Sequence, residues 1–378
     1  MNKLAPPKRL QGIEKSVIRQ VFDRALPGSI NLGLGEPDLP TPDVIRRAAV
    51  KAIIEEQNGY TSHAGLKSLR EKIAADYSHL EQNPERVIVT AGSQEALYLA
   101  LMVLVDEGDE VLLPNPGFVA YPTIVKMAGG TARFYRMPRE NAFAFDLDEF
   151  RRALTPQTKV VVSISPSNPT GRTLSRSDLV SIADVVRDHG AYLISDEIYR
   201  ELYYTPERPE SLSSFADRTI VISGLSKSMS MTGWRLGWIG GDEAVIKAAL
   251  VLHGYVTTCA STVSQKASLV AWTDEAKAAR AGFRETFRAR RDHLLQLIES
   301  QLGLRAVTPD GAFYTMLDVH EFGPSMKVAE ALLEARVITV PGAAFGSESE
   351  GFLRVSFCAD HDTLSEGVRR IKRGLELA

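Results

Sequence analysis

A lysine in a sparsely charged stretch of the sequence has the surroundings of a reactive amine. Lys227 follows the apolar segment Thr219–Ser223 and lies among serine, methionine and glycine residues. A lysine that water solvates poorly has a lowered pKa, so its amine is free to act as a nucleophile. A single lysine is far more often a solvated surface charge, but Arg235 follows closely and would bind an anionic group of the same ligand.

Carboxylates follow another apolar segment, Ala191–Ser195. Asp196 and Glu197 come directly after it, and Tyr199 lies a little further on. Ligands of open α/β sheets bind beyond the carboxyl ends of the strands, which is where these side chains would stand. A solvated acidic loop would show the same pattern, and this segment alone favours neither interpretation.

A candidate anion site connects the β-branched segment Val87–Thr90 to the apolar segment Ser93–Val105. The connecting residues include Gly92 and Ser93. Free backbone N–H groups at a helix N-terminus attract an anion, glycine permits close approach, and the serine adds a hydroxyl. Taken alone, Ser93 is more often a simple helix cap.

The elements that would position these residues alternate between strand-like and helix-like patterns. This alternation predicts an α/β layered domain with a mostly parallel central sheet covered by helices. One predicted strand, Val111–Leu113, is expected to stop at Pro114. The other predicted strands are Val87–Thr90, Lys159–Ser163, Ala191–Ser195, Thr219–Ser223 and Leu236–Gly240, and the predicted helices are Ser93–Val105 and Asp178–His189.

A change of pattern near residue 280 predicts two domains. We expect a large α/β domain over residues 41–280 and a smaller α+β domain over residues 281–378, with an N-terminal arm of residues 1–40 packing on the smaller one. The second domain is predicted to contain an arginine-rich helix at Gly282–Gln301, strands near Phe313–Val319 and Leu353–Phe357, and a C-terminal helix with Leu364, Val368, Ile371 and Leu375 on one face.

Composition excludes several classes of protein. The chain has 378 residues, 44% of them hydrophobic and 24% charged, so it can bury a large core. A net charge of -3 disfavours general nucleic-acid binding.

The two cysteines form no disulfide framework and no leader is visible, so we expect a cytoplasmic protein. The longest apolar run, Ala96–Val105, would span about 15 Å as a helix, roughly half a bilayer core.

Common nucleotide and metal motifs are missing. Gly33-Leu-Gly35 lacks the third glycine of a dinucleotide loop, because position 38 is Asp38. The sequence contains no GxxxxGK[ST] loop, and its histidines show no HExxH spacing. We therefore expect no metal site.

Taken together and in order, these segments resemble the class I/II aminotransferases of fold type I, which use pyridoxal 5′-phosphate (PLP). The resemblance runs from about residue 9 to the C-terminus, and the ordered set is far more specific than any one motif. The segments that carry it are Gly35–Asp38, Thr41–Pro42, Tyr60, Gly65–Arg70, Ala91–Gln94, Ser167–Gly171, Ser195–Tyr199, Ser226–Lys227, Met231–Arg235, Gly311–Tyr314, Pro341–Gly342, Phe345–Gly346 and Leu353–Val355.

The resemblance implies roles around the cofactor ring. Lys227 would bind PLP as a Schiff base and then move a proton from the substrate Cα. Asp196 would pair with the pyridinium nitrogen and so make the ring an electron sink. Tyr199 and Asn168 would bind the 3′ oxygen of the cofactor, and Phe118 would stack on the ring.

The resemblance also implies which residues bind the cofactor phosphate: Gly92, Ser93, Gln94, Ser226 and Arg235. A further ligand, Tyr60, would come from the neighbouring subunit, which implies a homodimer. The chain departs from the family at Gly224, where many members have a serine or threonine that binds the phosphate. Ser226 would take over part of that role.

For the substrate, Arg354 matches the arginine that binds the α-carboxylate, flanked by Gly35 and Asn168. The implied activity is transfer of an amino group from an L-amino acid to a 2-oxo acid by a ping-pong mechanism, in amino acid metabolism. An alternative is a PLP-dependent carbon–sulfur β-lyase on the same fold. A PLP-sensing regulator would need a DNA-binding module that about 40 residues cannot supply. Ile18–Phe22 resembles the segment at the active-site entrance of aromatic and broad-range members.

Overall fold

Strands and helices alternate through the part of the chain that the computed structural model describes, residues 7, 10–55 and 58–378. The strands are β1 Ile30–Asn31, β2 Val87–Thr90, β3 Glu110–Asn115, β4 Thr131–Arg136, β5 Thr158–Ile164, β6 Tyr192–Asp196, β7 Thr219–Gly224, β8 Gly237–Gly240, β9 Tyr314–Asp318, β10 Val337–Ile338, β11 Val340–Pro341 and β12 Phe352–Ser356. The helices are α1 Val17–Asp23, α2 Asp43–Ile54, α3 Lys67–Ala75, α4 Ser93–Leu104, α5 Ala120–Met127, α6 Leu147–Ala153, α7 Arg176–His189, α8 Glu243–Val256, α9 Thr262–Ser268, α10 Asp274–Leu297, α11 Ser325–Glu334 and α12 His361–Leu375.

The central sheet has seven strands in the order β2-β8-β7-β6-β5-β3-β4. Strand β8 runs in the direction opposite to the other six, so the prediction of a mostly parallel sheet is confirmed. Alternate residues of β2 enter different hydrophobic clusters: Ile88 packs with α4, whereas Val87 and Val89 pack with α3 and α9. Helices on both faces explain why the strand sequences are continuously apolar.

A second, three-stranded antiparallel sheet has the order β11-β12-β9. The N-terminal arm contacts this half of the molecule, since β1 pairs with β10 and Val21 of α1 packs against Leu333 and Ile338. Residues of the arm also contact the large domain, since Lys227 donates to Gly35, so the assignment of the whole arm to the smaller domain stays a prediction. The boundary proposed after residue 280 falls inside α10, which starts at Asp274 and not, as the sequence suggested, at Gly282.

One strand prediction is wrong at its end. Pro114 does not stop β3, which continues to Asn115. Proline lacks a backbone N–H, but the pairing of β3 with β5 extends only to Leu112, while the pairing with β4 continues through Pro114 and Asn115. The strand therefore continues past the proline along one neighbour.

Among the described residues, no helix combines the length and the hydrophobicity that crossing a bilayer requires.

Candidate active site

A cavity of about 260 Å³ brings most of the predicted site residues together. It opens beyond the carboxyl ends of β6 and β7, at the N-terminus of α4, and the N-terminal arm closes one side of it. The predicted residues that line it are Gly35, Ser93, Gln94, Phe118, Asn168, Asp196, Tyr199, Ser226, Lys227, Arg235 and Arg354.

Lys227 is placed in this cavity by the turn that follows β7. Its Nζ donates a hydrogen bond of 2.7 Å to the carbonyl oxygen of Gly35, in the N-terminal arm. Burial lowers the pKa of Lys227 to about 8, because a poorly solvated amine loses its proton more easily. The structure therefore places a readily deprotonated amine where a ligand would meet it.

Asp196 is the last residue of β6 and is buried. Burial raises its pKa to about 6, and the hydrogen bonds that it accepts counteract this effect. Those bonds come from Tyr121 Oη at 2.9 Å and from the backbone N–H of Ile198 at 3.2 Å. The carboxylate is thus held by two fixed donors at the base of the cavity.

Tyr199 belongs to a hydrogen-bonded pair of tyrosines. Its Oη lies 3.0 Å from Tyr314 Oη, and burial raises the pKa of Tyr199 well above its ordinary value. Tyr314 in turn requires Gly35, because a Cβ at that position would lie 1.8 Å from the Tyr314 hydroxyl. The glycine lets the arm approach the pair closely.

Arg354 lies on β12 and is only 2% exposed. Its guanidinium carbon lies 4.2 Å from the ring centroid of Tyr314 and 4.8 Å from that of Phe345. Its Nη1 donates to Asn168 Oδ1 at 2.7 Å and its Nη2 to the Gly33 carbonyl at 2.6 Å. A planar cation fixed between two rings suits bidentate binding of a carboxylate.

The turn before α4 forms a cradle for an anion. Gly92 is the N-cap residue with a φ of 90°, and within the described chain no side chain caps the helix. Arg235 lies against it, since a Cβ on Gly92 would come 2.4 Å from the guanidinium. Unpaired N–H groups at the start of α4, together with this cation, favour binding of a phosphate.

Gly224 has a packing role at the edge of the cradle. It pairs with Gly237 of β8, and a Cβ on it would lie 2.8 Å from the Leu236 carbonyl oxygen. A serine or threonine would disturb the contact between β7 and β8. Ser226 is buried and lines the cavity, which is consistent with the role inferred for it from the sequence.

Tyr60 is not brought to this cavity. Its side chain is 88% exposed, on a loop near α8. Gly92 is also absent from the cavity lining, although its backbone contacts Arg235.

Sequence reasoning missed several residues of the site. Tyr121 lies three residues after Phe118 and was given no role, and Tyr314 lies in a segment of the resemblance without an assigned role. Apart from Ile18, which lies in the segment that resembles an active-site entrance, the apolar wall gives no signal in the sequence, because its members come from distant elements. It consists of Ile18, Leu34, Leu97, Ile164 and Ile198, and Thr232 also lines the cavity.

Fold and cavity together define an α/β enzyme of fold type I, with an amine, a carboxylate and an anion cradle at the ends of its parallel strands. The chain belongs to the family of class I and II aminotransferases, whose sequence model matches residues 27–371. Members of this family transfer amino groups between amino acids and 2-oxo acids and generally depend on PLP. The chain is therefore an aminotransferase.

Full-length relatives agree with this assignment. The chain is 35% identical to a probable aspartate aminotransferase of Methanocaldococcus jannaschii, over 97% of this chain and 99% of the relative. It is 33% identical to aromatic-amino-acid aminotransferase 2 of Thermococcus litoralis, over 99% of each chain. The solved structure of aspartate aminotransferase from Thermus thermophilus with maleate superimposes with a TM-score of 0.92, at 35% identity, over 99% of this chain and 100% of that one.

Proposed function

We propose that this aminotransferase depends on PLP and that Lys227 carries the cofactor and moves the substrate proton. The observation that carries the proposal is the position of Lys227, whose pKa is lowered to about 8, in one cavity with buried Asp196 and Arg354. When bound, PLP supplies an electron-accepting ring that stabilises negative charge on the substrate Cα.

The residues present fit this cofactor. Asp196 offers a carboxylate for the ring nitrogen, and the α4 cradle with Arg235 offers donors for the phosphate. Phe118 and Tyr199 provide an aromatic wall and a hydroxyl for the ring.

The protein's own groups would divide the work as follows. Arg354 binds the α-carboxylate and so fixes the direction of the Cα–H bond. Lys227 takes the proton from Cα and would deliver it to the cofactor carbon that is bonded to the substrate nitrogen; with a pKa near 8 it can do both close to neutral pH. Asp196 keeps the ring nitrogen protonated, since a buried carboxylate stabilises a positive charge beside it.

We also propose that the preferred substrate side chain is apolar or aromatic. Lys227 contacts Gly35 and Arg354 contacts Gly33, so a substrate held between the two cations lies beside the intervening Leu34. Ile18 lines the same cavity. Contact with these apolar side chains therefore favours a substrate side chain of similar character.

The cations support the same conclusion. The cationic side chains in the described lining of the cavity are those of Lys227, Arg235 and Arg354. Lys227 is assigned to the proton transfer, Arg235 to the cofactor phosphate and Arg354 to the substrate α-carboxylate. No further cation of the described chain remains there for a second substrate carboxylate. The name of the Thermococcus litoralis relative agrees with this preference, whereas that of the Methanocaldococcus jannaschii relative does not.

The working form would be a cytoplasmic homodimer. Tyr60 and Tyr255 are 88% and 90% exposed, and Val251 is exposed beside them on α8. The loop that carries Tyr60 is a neighbour of α8, because His63 of that loop lies against Gly254 of α8. Exposed apolar patches of this kind mark association surfaces. A second copy would bury them and bring Tyr60 to the partner's phosphate cradle.

A half-reaction experiment tests the function. Holoprotein mixed with phenylalanine should change the visible absorbance of the bound cofactor, and a 2-oxo acid should restore it. Lys227→Ala should abolish the reversible change. Pyruvate and ammonia released from a cysteine conjugate without a 2-oxo acid acceptor would instead identify a β-lyase.

The side-chain preference is tested with single substrates. We expect kcat/KM for phenylalanine to exceed that for aspartate by about tenfold or more. Leu34→Ala should reduce this ratio, whereas Val180→Ala, at an exposed position of α7, should leave it unchanged. A preference of the wild-type enzyme for aspartate would refute the side-chain proposal.

A further inference from the structure

We infer that Glu95 and His253 position the turn that binds the cofactor phosphate, although neither residue lines the cavity. This inference rests on the proposed cofactor. It concerns the side of the cradle that faces the protein interior, where α4 packs against α8.

Glu95 bends back from the first turn of α4. Its Oε2 accepts a hydrogen bond of 2.5 Å from the backbone N–H of Ala91, the residue before Gly92. Its Oε1 accepts a hydrogen bond of 3.0 Å from His253 Nδ1 and another from Thr257 Oγ1, both contributed from α8 and its C-terminal end. The Glu95 side chain is 9% exposed and that of His253 is fully buried.

Ala91 is therefore held on both sides of its backbone. Glu95 binds its N–H, and Arg235 Nη2 lies 3.4 Å from its carbonyl oxygen. The next residue, Gly92, has a φ of 90°, a conformation that glycine adopts freely, and glycine is also the most flexible residue of a turn. Fixing Ala91 sets the direction of the N–H groups that follow, which are those offered to the phosphate.

His253 and Thr257 stabilise the ionised Glu95 side chain in its buried position. A carboxylate close to a phosphate repels it, and hydrogen bonds donated to the carboxylate weaken this repulsion. The three donors lower the pKa of Glu95 despite its burial, so the side chain remains an ionised acceptor. Losing His253 would leave a poorly compensated negative charge behind the cradle.

The test compares the binding of PLP with that of pyridoxal, which lacks the phosphate, to the apoprotein. Glu95→Ala should weaken PLP binding about tenfold and leave pyridoxal binding unchanged, because only the phosphate uses the cradle. Glu95→Gln, which keeps one acceptor and the side-chain volume, should show an intermediate loss. His253→Gln should also lower the ratio of PLP to pyridoxal affinity.

Glu110→Gln is the matched control. Glu110 is likewise a partly buried carboxylate that accepts from a threonine, Thr155, and pairs with a cation, Arg133, but it lies at the opposite end of the sheet. The ratio of PLP to pyridoxal affinity of Glu110→Gln should equal that of the wild type. An unchanged ratio in both Glu95 variants would refute the positioning role alone. Wild-type protein that does not bind PLP would refute the proposed function as well.

Discussion

Tyr121 donates a hydrogen bond of 2.9 Å to Asp196, and both side chains are buried. The bond lowers the pKa of a carboxyl group that burial raises to about 6. Tyr121 thus helps to keep Asp196 ionised, which is the form that would stabilise a protonated ring nitrogen.

Replacing Tyr121 by phenylalanine should raise the pKa of Asp196, because a donor to its charged form is lost. The acidic limb of the pH–kcat profile should move to higher pH, and kcat at neutral pH should fall about tenfold. Tyr135→Phe is the control, since Tyr135 is equally buried but donates to the Val162 carbonyl oxygen. An acidic limb that stays in place in Tyr121→Phe would contradict this account.

The amine of Lys227 should be reactive at lower pH than other lysines of the apoprotein. Because its pKa is lowered to about 8, the neutral amine becomes abundant as the pH rises through 8. Lys247 offers a comparison, since its ion pair with Glu243 raises its pKa. Brief acylation at several pH values, followed by peptide mapping, measures how the reactivity of Lys227 and of Lys247 depends on pH. Equal titration of the two lysines would show that burial does not activate Lys227.

Arg354→Lys should impair substrate binding and spare the cofactor. Lysine cannot make the bidentate contact or fill the space between the Tyr314 and Phe345 rings. We expect kcat/KM for amino acids to fall about 100-fold, mainly through KM, with an unchanged PLP affinity. Arg305→Lys, at an exposed position, should behave like the wild type. A wild-type KM in Arg354→Lys would exclude Arg354 as the carboxylate ligand.

Gly224→Ser introduces the side chain that the family resemblance led us to expect at this position, but it should destabilise this chain. The new Cβ would lie 2.8 Å from the Leu236 carbonyl oxygen, so β7 and β8 would have to separate. We expect a loss of about 1–3 kcal/mol in the free energy of unfolding and no gain in PLP affinity. Thermal unfolding measures the loss of stability, and titration of the apoprotein with PLP measures the affinity. Gly282→Ser, where a Cβ meets nothing within 4 Å, is the control. Tighter PLP binding in Gly224→Ser would mean that the space is available after all.

The sequence alone determined the parts of the protein that depend on neighbours along the chain. Short runs of apolar residues indicate buried strands from the local sequence, so β2, β5, β6 and β7 are predicted close to their observed positions. Asp196 and Lys227 are predicted because Asp196 ends one such strand and Lys227 closely follows another. Arg354 required the resemblance, since an arginine inside a short strand carries no local sign of its task.

Tertiary structure decided which distant side chains meet. Tyr121 and Asp196 are 75 positions apart, and Glu95 and His253 are 158 apart. Their contacts depend on how α5 and α8 pack on the sheet, which no local pattern encodes. Gly224 shows the same dependence, because its lack of a side chain is explained only by the strand paired with it. Residue types and spacing therefore identified the reactive groups, whereas the packing of distant elements determined what holds and tunes them.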